Sequence, residues 1–204
     1  MIVKHTSCTV TKPAPTDFGG SVLNDRGYDP KIHHRRSIRL KEYDYSQPGA
    51  YFITICVHNR ERIFGNIVNG NMKLNIYGKV VTTYWGNLSR NYPYLELRAL
   101  VVMPNHVHGI LVIKSDLAGK CKNHSIPDIV RSFKTFSSKR INELRNTKGI
   151  PLWQRNYWEH IIRNQSSFNR IYEYIMTNPL RWYLDKENPF CDGEDDFDHW
   201  LDSL

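Results

Sequence analysis

Hydrophobic residues along the chain fall into short, dense runs separated by polar turns. Residues 50–57 (AYFITICV) form a β-branched and aromatic run bounded by turn residues, a pattern typical of a buried strand. Two further runs, residues 96–103 and 107–113, meet at Pro104-Asn105. Because that joint is so short, we expect an antiparallel pair or one bent ribbon. Residues 152–163 (LWQRNYWEHIIR) are aromatic and β-branched and predict a fourth strand.

Three other segments repeat their apolar residues every three to four positions, which predicts amphipathic helices. They are residues 74–91, 128–145 and 168–178, the last preceded by N-capping residues at 164–167 and ended by Pro179. Strands and helices do not alternate strictly in the resulting order. We therefore predict an α+β fold, in which an antiparallel sheet carries its helices on one face.

Charge is distributed unevenly along the sequence. The chain carries a net charge of +8, yet residues 185–204 contain eight Asp or Glu against one Lys and carry −7. Residues 1–184 therefore carry +15. A body this basic favours a polyanionic partner, of which nucleic acid is the usual one. A solubilising surface is the alternative interpretation of the same charge.

The predicted organisation has three parts. Residues 1–34 mix Pro, Gly, Ser and Thr without apolar periodicity and are expected to be a flexible extension, residues 35–186 to be one globular domain, and residues 187–204 to be an acidic tail. No apolar run is long enough to cross a bilayer, and the N-terminus lacks the apolar core of a signal peptide. The four cysteines are widely spaced. We therefore expect a cytoplasmic protein with free thiols and no membrane association.

The candidate chemistry begins at His106 and His108. Side chains two apart on a strand project from the same face, so the two imidazoles are expected to point together. On the last predicted helix, Tyr174 and Asn178 are four residues apart and share a face. Asn178 could give a carbonyl oxygen to a metal held by both histidines, a mixed nitrogen and oxygen set that suits Mg²⁺ or Mn²⁺. Structural histidines and an amphipathic core tyrosine are the alternative interpretation.

Five blocks of the sequence occur in an informative order. They are RRSIRLKEYDYSQPGAYFITICVHNRERIFG, VVMPNHVHGILV, VRSFKTF, LWQRNYWEHIIRN and EYIMTNPLRW. Together they resemble the REP-associated tyrosine transposases, a group within the single-tyrosine HUH transposase family. The likeness runs from about Arg35 to Trp182, so residues 35–186 are interpreted as a transposase-like HUH domain.

The resemblance implies a ferredoxin-like antiparallel sheet, a homodimer, and metal-assisted cleavage and rejoining of single-stranded or hairpin DNA. It places the metal-binding histidine pair on His106 and His108, the nucleophile on Tyr174 and a further metal ligand on Asn178. The tyrosine oxygen would attack the scissile phosphate, leaving a 5′-phosphotyrosine link and a free 3′-OH. Because that covalent bond stores the energy of the phosphodiester, a second 3′-OH can reverse the step without ATP.

Basic side chains in two regions are interpreted as contacts to the DNA backbone. They are Arg35, Arg36, Arg39, Arg131, Lys134 and Arg145. Two other groups compete for roles in the site. Tyr172 points away from the Tyr174 direction on a helix and is the poorer nucleophile, and His160 is expected to have a structural or supporting role.

Three other functions fit parts of the sequence. A non-catalytic hairpin-binding protein with a decayed site is disfavoured because the two histidines, the tyrosine and the asparagine are all intact. A replication initiator or relaxase of the same chemistry would be indicated by a helicase domain or a second paired tyrosine, and the sequence has neither. An unrelated metal-dependent hydrolase would turn over without any phosphotyrosine intermediate.

Overall fold

The predicted α+β architecture with an antiparallel sheet is confirmed by the structure, a computed structural model that describes residues 40, 42–115, 124–191, 193 and 195–203. The strands are β1 (Gly49–Cys56), β2 (Gly65–Val68), β3 (Asn71–Leu74), β4 (Leu95–Val102), β5 (His106–Ile113) and β6 (Trp158–Ile162). The helices are α1 (Ile76–Gly86), α2 (Leu88–Asn91), α3 (Ile126–Leu144), α4 (Gln165–Thr177) and α5 (Asp196–Asp202), with 3₁₀ turns at His58–Arg60 and Asn178–Leu184. Among the described residues, no helix is long and apolar enough to cross a membrane.

The main sheet has four strands in the order β4-β5-β1-β6, and every neighbouring pair is antiparallel. Along the chain, β1, α1 and β4 form one β-α-β unit, and β5, α3 and β6 form a second. Each unit leaves a gap between its strands that a strand of the other unit fills, which is the ferredoxin-like arrangement. Strands β2 and β3 form a separate two-stranded hairpin.

The central strands β1 and β5 are buried on both faces. Alternate residues of β1 point to opposite sides, so Tyr51 and Ile53 join one core while Phe52 joins another. Helices α1 and α3 cover the first face, where Trp85 of α1 contacts Phe133 of α3 edge to face, with ring centroids 5.3 Å apart. The apolar side chains of β1 from Ala50 to Ile55 are therefore divided between two cores.

The second face is also covered by helices, which corrects the prediction that all helices share one face. Ile171 and Ile175 of α4 and Phe197 of α5 pack against Phe52 and Ile110 of the sheet. Helices α1 and α3 alone follow the expected arrangement. The physical reason is that β1 and β5 carry apolar side chains on both of their faces, and strands of that kind need cover on both sides.

Two predicted elements differ clearly in extent from those that the structure shows. The helix expected over residues 74–91 begins after Asn75, whose side chain caps it by accepting hydrogen bonds from two backbone amides. Asn87 then divides it into α1 and α2. The strand expected over residues 152–163 is confined to β6, because Trp153 fills the first core from a loop that forms an isolated bridge to Val57.

The acidic residues expected to form a separate tail pack on the domain where the structure describes them. All described residues belong to one compact unit, Ile38–Leu204. Phe197 and Leu201 enter the second core, and Asp195 caps α5 and accepts a hydrogen bond from Arg181. Apolar residues spaced among the acidic ones hold this segment against the sheet. The net charge of the segment does not reveal this pattern.

Candidate active site

The two histidines stand side by side on the second face of the sheet. His106 is the first residue of β5, and His108 pairs with Thr54 of the neighbouring strand β1. Both imidazoles are buried, and their Nε2 atoms lie 2.9 Å apart. The two imidazoles therefore project from the same face of the strand, as the sequence predicts. A rigid strand flanked by two neighbours aims both rings at one point.

Each imidazole is held through its other ring nitrogen. Nδ1 of His106 lies 2.8 Å from Oδ1 of Asn105, and Nδ1 of His108 lies 2.8 Å from Oγ1 of Thr54. Both partners are buried. These hydrogen bonds leave the two Nε2 atoms facing the centre of the site, the orientation in which imidazoles bind metals.

Tyr174 on α4 brings its hydroxyl to the histidine pair. Its Oη lies 3.5 Å from Nε2 of His108, and the two rings meet edge to face with centroids 5.3 Å apart. Only 4% of this residue is exposed. Tyr172, two residues earlier on the same helix, is 41% exposed and points away. The two tyrosines therefore differ in burial, as their different directions on a helix predict.

Asp185 is the site residue that the sequence analysis missed. It follows the 3₁₀ turn Asn178–Leu184, and its Oδ2 lies 3.5 Å from Nε2 of His106 and 4.0 Å from Nε2 of His108. The ligand atoms of these three residues all lie within 4.8 Å of one another. The local run of acids was visible in the sequence, but no periodic pattern connects Asp185 with β5.

Asn178 lies beside this carboxylate. Its Nδ2 donates a 2.8 Å hydrogen bond to Oδ2 of Asp185, and its own Oδ1 is buried without a hydrogen-bond partner among the described residues. An unpartnered buried carbonyl oxygen is costly unless something binds it. The two imidazole nitrogens and the carboxylate of Asp185 make a mixed donor set that fits a divalent cation.

Burial controls the electrostatics of the site. It lowers the pKa of His106 and lowers that of His108 well below its usual range, so both rings favour the neutral form that binds metals. Burial also raises the pKa of Tyr174, and the carboxylate of Asp185 adds to the effect. The hydroxyl is therefore held protonated in this arrangement.

The C-terminal helix covers the tyrosine. The ring of Phe197 stacks on that of Tyr174, with centroids 3.7 Å apart and planes 6° from parallel. Beside them, Lys186 Nζ forms a salt bridge with Oδ1 of Asp198 at 2.7 Å. A small cavity under α5 is lined by His108 and Tyr174 together with these side chains. His108 and Tyr174 thus border a small cavity beside α5.

Two of the predicted DNA contacts lie on one side of α3. The side chain of Arg131 is 75% exposed and forms an exposed ion pair with Asp128. Lys134 is engaged within the protein, because its Nζ donates to the carbonyl oxygens of Gln154 and Asn156, each at 2.9 Å. A cleft formed by α3 and the loop before β6 includes both basic side chains. Lys134 holds this loop in place, and Arg131 is the one directed to solvent.

The other predicted contacts fall elsewhere. Arg145 caps the end of α3, where its Nε donates to Oδ1 of Asn142 at 2.9 Å and to Oγ1 of Thr147 at 2.7 Å. His160 stacks on Trp158 with centroids 6.0 Å apart, and it is absent from the metal-ligand cluster found among the described residues. The remaining three arginines lie outside the described residues: Arg35, Arg36 and Arg39.

Known proteins resemble this chain in sequence and in fold. A family model described as "Transposase IS200 like" matches residues 49–178. An uncharacterized protein of Haemophilus influenzae is 42% identical over 174 residues, which cover 78% of this chain and 96% of that protein. The REP-associated tyrosine transposase of Escherichia coli K12 is 23% identical over 145 residues, which cover 67% of this chain and 70% of that protein. A solved REP-associated tyrosine transposase bound to a REP hairpin superimposes with a TM-score of 0.50 at 21% identity, covering 71% of this chain and 73% of its own.

The antiparallel sheet, the paired histidines and the family match together define a class of transposases. The chain belongs to the IS200-like transposase family, whose model covers more than half of its residues. Within that class, its similarity is to the REP-associated tyrosine transposases.

Proposed function

We propose that this protein cleaves and rejoins single-stranded DNA through a covalent link to Tyr174. The observation that carries the proposal is the approach of the Tyr174 hydroxyl to within 3.5 Å of His108 Nε2, beside a buried His106, His108 and Asp185 cluster. A nucleophilic oxygen next to a set of metal ligands is the arrangement that phosphoryl transfer needs.

A divalent metal ion, Mg²⁺ or Mn²⁺, belongs to this proposal. His106 and His108 would hold it through Nε2, with oxygen from Asp185 or from the unpartnered Oδ1 of Asn178. When bound, such an ion supplies positive charge that stabilises the oxygens of a scissile phosphate. The nitrogen and oxygen donors support this assignment.

The covalent step is carried by Tyr174. Its hydroxyl loses a proton as its oxygen bonds to phosphorus, and the bond from phosphorus to the 3′ oxygen breaks. The 3′ oxygen takes up a proton and leaves as a 3′-OH, while the 5′ phosphate stays on the tyrosine. Attack by another 3′-OH reverses these bond changes and joins the strands. The edge-to-face contact between the rings of His108 and Tyr174 orients the nucleophile.

The substrate in this proposal is DNA that contains a hairpin. The solved relative is described as bound to a REP hairpin. The strongly basic body of this chain supports an anionic partner, and exposed Arg131 is a candidate backbone contact.

A homodimer is also part of the proposal, and light scattering in solution would test it. The oligomeric state can be measured independently of cleavage.

The decisive experiment compares Tyr174→Phe with the wild-type protein on end-labelled hairpin oligonucleotides in Mg²⁺ or Mn²⁺. We expect the wild type to form a protein-DNA adduct that survives denaturing electrophoresis, and Tyr174→Phe to form none. Tyr172→Phe is the matched control on the same helix and should keep the adduct. An adduct of undiminished yield in Tyr174→Phe would disprove the assignment.

A non-catalytic hairpin-binding protein is the second candidate. The observation that favours it is the burial of Tyr174 beneath Phe197, which keeps the nucleophile from solvent. That function predicts hairpin binding that EDTA does not change, with no cleavage of any hairpin substrate. Cleavage without an adduct would instead indicate a metal-dependent hydrolase.

A further inference from the structure

A row of side chains crosses the second face of the sheet from the histidine pair to the edge strand β6. His108 of β5 and Trp158 of β6 are both register partners of Thr54, which stands between them on β1. Neighbouring strands lie about 4.8 Å apart, so the backbone of Trp158 is about 10 Å from that of His108. Trp158 also lines the cavity that Tyr174 and His108 border. The tryptophan therefore lies beside the candidate nucleophile.

His160 extends this aromatic surface along β6. It is two residues from Trp158, so both side chains project from the same face of the strand. Their rings are parallel to within 8°, with centroids 6.0 Å apart. Both residues are half-buried, whereas Phe52 of the neighbouring strand is buried. The edge strand thus presents two aligned aromatic rings that the protein covers only in part.

Cationic groups flank the two rings. Lys186 Nζ lies 6.0 Å from the centroid of the Trp158 ring, and its partner Asp198 is a carboxylate that a phosphate can replace, since both present anionic oxygens. Arg163 directly follows β6 and is exposed. Burial and the charge of this arginine lower the pKa of His160, so its ring is neutral at pH 7.

Partly exposed aromatic rings between cations are suited to single-stranded nucleic acid. Every base has a π-face that stacks on an aromatic side chain, while lysine and arginine neutralise the phosphates. A base pair inside a stem already has both faces covered by its neighbours, so only unpaired bases can stack on a protein ring. The chemistry of this surface therefore favours unpaired nucleotides over duplex.

We propose that Trp158 and His160 form a stacking platform for the unpaired nucleotides next to the scissile phosphate. Lys186 and Arg163 bind the phosphates on either side of the stacked bases. The inference rests on the proposed function, because Tyr174 defines where the scissile phosphate lies. The stacking platform holds the strand beside the tyrosine and accepts bases of any sequence.

The first test measures DNA affinity in EDTA, so that metal-dependent cleavage does not interfere. The probe is a fluorescently labelled stem-loop oligonucleotide with single-stranded thymidine extensions at both ends, followed by anisotropy. Trp158→Leu keeps an apolar side chain but lacks an aromatic face, so we expect affinity to fall about fivefold to 150-fold, the effect of one stacked base. Trp158→Phe retains a ring and should bind within about threefold of the wild type.

Two matched controls separate stacking from folding. Phe136→Leu changes an aromatic residue that is 52% exposed on α3, on the other side of the sheet, and should keep wild-type affinity. A blunt duplex has no unpaired bases, so Trp158→Leu should bind it as the wild type does. A misfolded variant would instead lose affinity for both the stem-loop and the duplex.

The second test locates the bases on the wild-type protein. 5-Iododeoxyuridine, placed at one position at a time, cross-links on irradiation to an aromatic side chain on which it stacks, and peptide mass spectrometry identifies that residue. We expect cross-links to Trp158 or His160 from unpaired positions next to the cleavage site, and none from positions within the stem.

Three results would overturn the inference. They are equal affinity of Trp158→Leu and the wild type for the extended stem-loop, an equal loss of affinity for the blunt duplex, and cross-links from the extensions that map only to other residues. Failure of the proposed function is distinguishable, because it appears as wild-type protein that forms no adduct in Mg²⁺ or Mn²⁺. Normal adduct formation together with any of the three results would remove the stacking platform and leave the function intact.

Discussion

At Gly109 the site strand leaves no room for a side chain. A Cβ added there would lie 2.3 Å from Cζ2 of Trp85 and 3.1 Å from the carbonyl oxygen of Ala99. Gly109→Ala should lower the free energy of unfolding by about 1 to 3 kcal/mol, because the core must shift to accept the methyl group. Denaturant titration measures this loss.

The matched control is Gly86→Ala at the end of α1, where an added Cβ has no neighbour within 4 Å. We expect the stability of that variant to be unchanged or raised by up to about 1 kcal/mol, since alanine favours helix. Equal stability of the two variants would show that β5 and α1 are less tightly packed than described.

The buried histidines make the stability of the metal-free protein dependent on pH. Burial lowers the pKa of His106 and His108 in the folded state, so the unfolded state binds more protons as pH falls through the ordinary histidine value near 6.5. Stability is then complete above about pH 7.5 and falls toward pH 5, by up to about 1.4 kcal/mol per pH unit for each proton.

Denaturant titrations in EDTA across this range measure the slope. His108→Gln should show a shallower slope than the wild type, because one of the contributing groups is gone. A wild-type stability that is flat between pH 7.5 and 5 would contradict the described burial. A slope equal in the two proteins would exclude a contribution from His108.

For single residues, the sequence predicted the positions that follow from the regular spacing of side chains along strands and helices. His106 and His108 share a face because strand side chains alternate, and Tyr174 lies on the inner side of α4 because helical spacing puts it there. Asp185 could not be found in this way. Its position depends on the 3₁₀ turn after α4 and on contacts with Asn178, which are tertiary.

Helix α5 is the element that separates Tyr174 from solvent. Phe197→Ala removes the ring that stacks on the tyrosine, so we expect reagents to reach the Tyr174 phenol. Nitration by tetranitromethane, mapped by peptide mass spectrometry, should rise from near zero to a rate comparable with that of exposed Tyr172. Tyr172 thus serves as an internal reference in each sample.

Phe190→Ala is the matched control for this change. Phe190 is 71% exposed, so its loss should leave Tyr174 protected. Nitration of Tyr174 in the wild type at the rate of Tyr172 would show that α5 does not cover Tyr174 in solution. Equal nitration of Tyr174 in the two phenylalanine variants would exclude the stacked ring as the cause.

Helices and strands could be predicted from the sequence where buried residues repeat at a fixed spacing. They were harder to predict where aromatic residues enter the core from a loop. Trp153 is as buried as a strand residue, so the composition of residues 152–163 could not reveal that only Trp158–Ile162 form a strand. The acidic segment was misleading for the opposite reason. Its charges are numerous, but Phe197 and Leu201 determine where it packs.

Across the whole molecule, charge should control the proposed binding of DNA. Residues 1–184 carry +15, and contacts between their basic side chains and phosphates release counterions from DNA. We therefore expect hairpin affinity to fall at least about tenfold between 50 and 200 mM salt. Fluorescence anisotropy of a labelled hairpin oligonucleotide measures this dependence.

Arg131→Ala should reduce the slope of log affinity against log salt by about 1, the effect of losing one phosphate contact. Arg140→Ala is the control on the same helix, because Arg140 forms a comparable exposed ion pair, with Glu143 at 3.2 Å, and is not a predicted contact. Identical slopes for the two variants would remove Arg131 from the interface. Binding insensitive to salt would argue against a phosphate-dominated interaction altogether.

The strand order β4-β5-β1-β6 places the histidine pair on β5, which with β1 is one of the two strands of this sheet that have neighbours on both sides. Their backbone amides should be among the slowest in the protein to exchange with deuterium, whereas those of the seven-residue helix α5 should exchange early. The molecule can then expose its tyrosine by a local fluctuation that costs only a fraction of the global unfolding free energy. The histidines need never leave their places while that happens.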